Sequence, residues 1–180
     1  MDVELVHFPL HPETPERGQS LEELFAERDV DIHAMYVRMK GLMDAERLEY
    51  GQRTHTYNSR LAQELGKWAD EQIVKGKNYT AIHDALYRAY FVDGQNILDV
   101  DVLVEVAEKA GLPGDEVREV VTSRSHKDAV DADWAKSRKY GVTGVPTFVA
   151  GGYGLVGAQP YEALERLLQE LKKPGANDNW

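Results

Sequence analysis

The side chains able to do chemistry in this chain are defined first by an absence: none of its 180 residues is a cysteine. Disulfides and thiolate metal sites are thereby excluded for these residues, and no thiolate nucleophile is present. Ser20 begins SLEE, a match to the capping box of a helix start, and capping accounts for it without nucleophilic chemistry. No Gly-x-Ser-x-Gly elbow occurs to orient a serine. Of the six histidines, His7 and His11 stand four apart, but Pro9 between them rules out a shared helical face. No His-Glu-x-x-His motif is found. His33, His83 and His126 read as surface or capping residues, so no metal site is expected. Asp128, Asp131 and Asp133 lack the glycine-bearing turn and closing glutamate of a calcium loop, and a solvated helix face suffices for them.

The chemistry that remains belongs to the backbone of GVTGVPTF, residues 141–148. A helix that stops at Gly141 is followed by a loop and then by a strand opening at Pro146. A cis Val145–Pro146 bond would turn the chain so that the Val145 amide and carbonyl face an extended ligand, which could pair there as an added strand. The simpler alternative is that Pro146 starts an edge strand, a normal position for proline.

The elements that would position this loop follow from periodicity. Residues 2–10 alternate as a strand, with Val3, Leu5 and His7 on one face and Pro9 ending it. From Ser20 to about residue 140 the chain reads as a block of about six helices. Ile32, Met35, Met39, Leu42 and Met43 fall at helical spacing, as do Leu61, Leu65 and Trp68. Thr80 is an expected N-cap, and Asp99 or Asp101 another. Gly111 suits a left-handed C-cap, with Pro113 unable to continue that helix. Residues 147–150 and 153–156 are expected to form a hairpin around Gly151-Gly152. Pro160 then starts a last helix whose apolar face is Tyr161, Leu164, Leu167, Leu168 and Leu171. Pro174 stops it, and residues 174–180 read as a flexible tail. No internal repeat is present.

The length suits one ordinary domain, and 42% apolar residues support a globular core. A net charge of −10 repels phosphate backbones and anionic lipid, so neither nucleic acid nor a membrane is an expected partner. Lys136, Arg138 and Lys139 read as a solvated helix face. The uncharged run 141–161 holds six glycines and two prolines and reads as strand, turn and strand rather than a membrane span. The N-terminus is acidic with an early proline-rich turn, unlike a signal peptide, so the expected location is cytoplasmic.

The order of elements, with HFPLHP at 7–12, YNSRLA at 57–62, LYRAYF at 86–91, Asp93-Gly94, GVTGVPTF and GAQP at 157–160, resembles the DsbA-like thioredoxin family. The similarity is to its FrnE and 2-hydroxychromene-2-carboxylate isomerase branch, and it covers nearly the whole chain. The resemblance implies an α/β thioredoxin-like fold with a large helical insertion. The thioredoxin-like part would be residues 1–19 and 124–173, and the insertion 20–123. It favours the cis form of Val145–Pro146 and implies a substrate-binding site at Gly144, Val145, Pro146 and Thr147. Asn58 would lie near the same groove, although a helix N-cap role also suffices for it. Tyr57, Trp68, Tyr87, Tyr90 and Phe91 read as core or groove lining.

Family members begin with a strand and a Cys-x-x-Cys or Ser-bearing loop opening a long helix, whereas Met1 falls where their second strand begins. The chain therefore resembles a member lacking its first β-α unit, and no catalytic residue is assigned. The complete form would be a thiol–disulfide oxidoreductase, and this chain is expected to be redox-inactive. The alternatives are a glutathione-dependent isomerase or kappa-transferase-like enzyme, or a non-catalytic peptide-binding module. Peptide, thiol substrate or glutathione are the expected partners, with no other cofactor. The first strand sits between the second and the cis-proline strand in this fold, so its loss leaves two unpaired edges. Those edges could close up or be filled by another chain, or the product could be unstable. A homo-oligomer pairing through strand edges is the expectation.

Overall fold

The computed structural model describes residues 3–170, with eight helices and four short strands among them. The chain divides into two compact units, Met1–Leu10 with Asp131–Trp180, and His11–Val130. The described residues are largely helical, with two small two-stranded sheets. No helix among the described residues is long and apolar enough to cross a membrane.

The unit His11–Val130 opens with β1 (Gln19–Ser20), which runs directly into α1 (Leu21–Phe25). The capping box at its start is complete. The Glu23 amide donates to Ser20 Oγ at 3.0 Å, and the Ser20 amide donates to Glu23 Oε2 at 3.1 Å. Next come α2 (Ile32–Ala45), capped by Asp31, and β2 (His55–Thr56), which pairs antiparallel with β1. The two-residue strands β1 and β2 have no periodicity to reveal them in the sequence. Then follow α3 (Arg60–Val74), α4 (Ile82–Phe91), α5 (Val100–Lys109), α6 (Gly114–Ser123) and α7 (Lys127–Lys139), the last extending past the unit's end.

The core of this unit is built from residues at helical spacing. Leu61, Leu65 and Trp68 of α3 are buried with Ile82 and Leu86 of α4, Leu103 and Ala107 of α5, and Val117 and Val121 of α6. Burying side chains of this size stabilises the fold by roughly 1.5–3 kcal/mol each. Trp68 packs on Tyr79 with ring centroids 5.6 Å apart, whereas Tyr87 is exposed and lines no core. Asp99 caps α5 by accepting from the Asp101 and Val102 amides. Gly111 takes a φ of +87° after that helix. The expected cap at Thr80 is displaced by one residue. Ala81 stands at the cap position without a side-chain bond, and the Thr80 hydroxyl donates to Asn78 at 3.4 Å. In contrast to the other long helices, α2 has no buried residue.

The second unit contains the rest of α7, then β3 (Thr147–Ala150), β4 (Tyr153–Val156) and α8 (Tyr161–Glu170). On α8 only Leu167 is buried, and Tyr161 and Leu168 are exposed. Leu171, Pro174 and the expected tail 174–180 lie outside the described residues.

One expectation is corrected here. Residues 3–9 form no strand. A strand exists only as half of a ladder, and neither ladder among the described residues includes this segment. It is held through side chains instead. His7 donates its amide to Asp133 Oδ2 at 3.0 Å, and its Nδ1 meets the same oxygen at 3.0 Å. Glu4 receives Lys136 Nζ at 2.6 Å, which holds that ammonium above its usual pKa.

Candidate functional site

The loop between α7 and β3 is shaped by local rules. After α7 the Gly141 amide donates to the Arg138 carbonyl at 3.0 Å and the Val142 amide to the Ser137 carbonyl at 3.0 Å. Gly141 takes a φ of +66°, the left-handed conformation that ends helices in this way. Thr147 Oγ1 then donates back to the Gly144 carbonyl at 2.7 Å and closes the loop onto the first residue of β3. Between them the Val145–Pro146 peptide bond is cis.

The hairpin sets which backbone groups face outward. Gly151 and Gly152 form its two-residue turn with φ of +53° and +91°, which glycine allows at no steric cost. Ala150 pairs with Tyr153 and Phe148 with Leu155. In an antiparallel pair, hydrogen-bonded and non-bonded positions alternate. The pair beside the turn is bonded, so the bonded row on β3 is Ala150, Phe148 and Pro146. The bond from the Gly157 amide to the Pro146 carbonyl at 2.7 Å continues that row. Val145, Thr147 and Val149 therefore direct their amides and carbonyls away from β4. Among the described residues these groups find no hydrogen-bond partner. Val145 is 51% exposed, so its edge is accessible. Such an edge can accept an extended chain by backbone pairing.

Gly144, Val145, Pro146 and Thr147 are thus contiguous in one unit. Asn58 belongs to the other, where its amide is fully used. Its Nδ2 donates to the Pro12 carbonyl at 2.9 Å and the Thr14 carbonyl at 3.5 Å, and its Oδ1 accepts from the Arg60 amide at 2.9 Å. It fastens the 12–14 loop to the start of α3, one residue ahead of the cap position held by Ser59.

Two histidines of this helical unit each meet one carboxylate. His83 Nε2 meets Asp70 Oδ1 at 2.8 Å and His126 Nε2 meets Glu71 Oε2 at 3.0 Å. No group of three metal-ligating side chains gathers among the described residues.

Two features escaped sequence reasoning. Glu64, fully buried on α3, is gripped by Arg60 and Arg124, the latter sixty residues further along the chain. Arg53 packs its guanidinium over Tyr90 and Phe91. Arg60 and Glu64 are a local pair four residues apart on α3, but Arg124 and the rings beside Arg53 are brought in by the fold.

Residues 1–169 match the family model described as the DSBA-like thioredoxin domain. The crystal structure of the probable DsbA oxidoreductase of Streptomyces coelicolor superposes with a TM-score of 0.77 at 30% identity, covering 94% of this chain and 76% of that one. The uncharacterized protein YwbO of Bacillus subtilis is 28% identical over 100 residues, 55% of this chain. That match spans 48% of YwbO, about half its length.

Proposed function

Because the chain belongs to the DSBA-like thioredoxin domain family, we propose that it is a FrnE-branch member that holds an extended peptide or thiol substrate at the β3 edge. The backbone of Val145 and Thr147 pairs with the substrate, while Gly144 and Pro146 shape the loop. Asn58 acts by fixing the 12–14 loop. The thioredoxin-like part is residues 1–19 and 124–173 and the helical insertion residues 20–123, a division close to that of the two compact units. The observation supporting this reading is the outward row of unpaired backbone groups at Val145, Thr147 and Val149.

Family members that carry the Cys-x-x-Cys loop are thiol–disulfide oxidoreductases. There a cysteine thiolate attacks a substrate disulfide, forms a mixed disulfide and expels the other sulfur as thiolate. This chain brings no sulfur nucleophile, so it is redox-inactive by itself. The family's first strand, which leads into the Cys-x-x-Cys loop, belongs beside β3, and among the described residues β3 pairs only with β4. In an insulin-reduction assay driven by dithiothreitol, turbidity should rise no faster than without protein. Acceleration by the cysteine-free chain would overturn this reading.

The absence of cysteine also favours a second reading, a glutathione-dependent isomerase or transferase, because glutathione carries its own thiol. Backbone amide shifts at Val145 and Thr147 on adding glutathione, absent with an extended cysteine-free peptide, would select it. The reverse pattern would select a peptide-binding module.

A further inference from the structure

The helical unit carries a cavity remote in sequence from Val145 and Pro146. Its volume is about 280 Å³ and its walls include Leu21, Ile32, Met35, Tyr36, Tyr50 and Arg53. Small-ligand pockets begin at roughly this size, about 300 Å³. The Tyr36 and Tyr50 rings stack with centroids 6.0 Å apart and planes at 22°, which gives one wall a flat aromatic surface.

Arg53 is the unusual member of this wall. Its Nη1 donates to the Tyr90 hydroxyl, and its guanidinium carbon lies 4.6 Å from the Tyr90 ring centre and 5.4 Å from that of Phe91. These contacts hold the guanidinium against the two rings but supply no countercharge. Its Nε is buried with no hydrogen-bond partner, the only such side-chain atom among the described residues. A buried donor left unmade is costly, and more so when it is charged. The positive field around it reaches His11, whose imidazole is held below its usual pKa by burial first and then by Arg28 and Arg53.

Nε and Nη2 form the edge of a guanidinium that receives both oxygens of a carboxylate side-on. With Nη1 committed to Tyr90, this is the edge left over. Glu22, also on the cavity wall, would repel a second negative charge, so a monoanion suits the site better than a phosphate dianion. We propose that the cavity binds a small monocarboxylic acid with an apolar or aromatic body. The carboxylate lies on the Nε–Nη2 edge of Arg53 and the body against Met35 and the Tyr36–Tyr50 pair. Arg53 Nε is closed off from the cavity, so the proposed binding includes a turn of the Arg53 side chain that brings this edge to the cavity.

The test titrates the full chain with phenylacetate, phenylacetamide and inorganic phosphate, read by calorimetry and by the ¹⁵N signal of Arg53 Nε–Hε. Phenylacetate should bind at least tenfold more tightly than either comparator and move the Arg53 signal. Arg53→Lys keeps the charge but loses the fork, and should weaken phenylacetate at least tenfold. Tyr36→Ala lies on α2, which buries no residue, so its fold is retained even if Arg53→Lys loosens Tyr90. It should weaken phenylacetate several-fold. Equal affinity for acid and amide, phosphate binding as tight as phenylacetate, or no effect of Tyr36→Ala would each overturn the proposal. None of these outcomes bears on the loop at Val145.

Discussion

Replacing Glu64 by Gln tests whether one buried carboxylate organises the helical unit. Glu64 Oε1 accepts from Arg60 Nε at 2.6 Å and Arg124 Nη2 at 2.7 Å, and its Oε2 accepts from Arg124 Nε at 2.7 Å. Arg60 also reaches the Lys127 carbonyl at 2.8 Å, so the cluster ties α3 to the connection between α6 and α7. Arg124 sits at a φ of +57°, a conformation unfavourable for a side-chain-bearing residue, and its fork on Glu64 offsets that cost. In Glu64→Gln an NH₂ group meets N–H donors, and two guanidiniums lose their shared countercharge. Removing one partner of a buried pair costs about 3–5 kcal/mol. The Arg124 side chain is 41% exposed and regains water, which places the variant near the low end, about 3 kcal/mol. At about 2–4 °C per kcal/mol for a chain of this size, the melting temperature should fall by about 6–12 °C. Burial pushes the Glu64 carboxyl up, but hydrogen bonds from Arg124 and then Arg60 outweigh it and hold the pKa below the usual carboxylate range. A folded value below the unfolded one means the stabilisation is complete above the unfolded pKa, about 4.3, and is lost as pH falls through the depressed folded value. The gap between wild type and Glu64→Gln, measured by calorimetry, should therefore be constant near neutrality and narrow under acid. A variant melting within 2 °C of wild type at pH 7, or a gap that widens on acidification, would refute the reasoning.

Three further outcomes follow from the same geometry. Ser20→Ala removes one half of the capping box and should cost about 1 kcal/mol in urea denaturation, whereas Ser20→Thr should be near neutral. At Gly51 an added Cβ would lie 1.9 Å from the Val92 carbonyl oxygen, while at Gly41 in α2 nothing stands within 4 Å. Gly51→Ala should accordingly destabilise by about 1–3 kcal/mol and Gly41→Ala should stabilise by about 0.5–1 kcal/mol, so chemical denaturation of the pair should show opposite signs. The open β3 edge should draw a second copy of the chain, and sedimentation should show an oligomer; a monodisperse monomer at high concentration would count against strand pairing between copies.

What the sequence disclosed and what it hid divide along a physical line. The capping box at Ser20, the left-handed glycines at Gly111 and Gly141 and the Gly151-Gly152 turn are set by neighbours within a few residues, and each is where its local chemistry requires. The α3 core residues Leu61, Leu65 and Trp68 were legible for the same reason, since one helix face fixes them. The β1–β2 pair, the Arg124 arm of the Glu64 cluster and the orphaned Nε of Arg53 depend on partners dozens of residues away, and no window along the chain contains both ends of the interaction. Thr80 shows the converse limit, for a residue with good capping chemistry stands one position short of the cap, while Ile82 at the helix start is buried.

Residues 3–9 carry the deeper point about the candidate site. Their alternation has the pattern of a strand, yet a pattern gives only the faces, and the ladder must come from a neighbour. Within the same unit β3 presents an outward row at Val145, Thr147 and Val149 that has no partner among the described residues. An alternating segment and a strand edge of the same unit thus both stand outside the two ladders seen among the described residues. The backbone edge at Val145 is therefore open in two senses, toward an extended ligand and toward a sheet neighbour, and these compete for the same amides. A peptide that pairs with β3 should consequently shift the chain toward monomer, which sedimentation with and without the peptide would measure. Binding that leaves the oligomer unchanged would show that ligand and sheet neighbour use different edges.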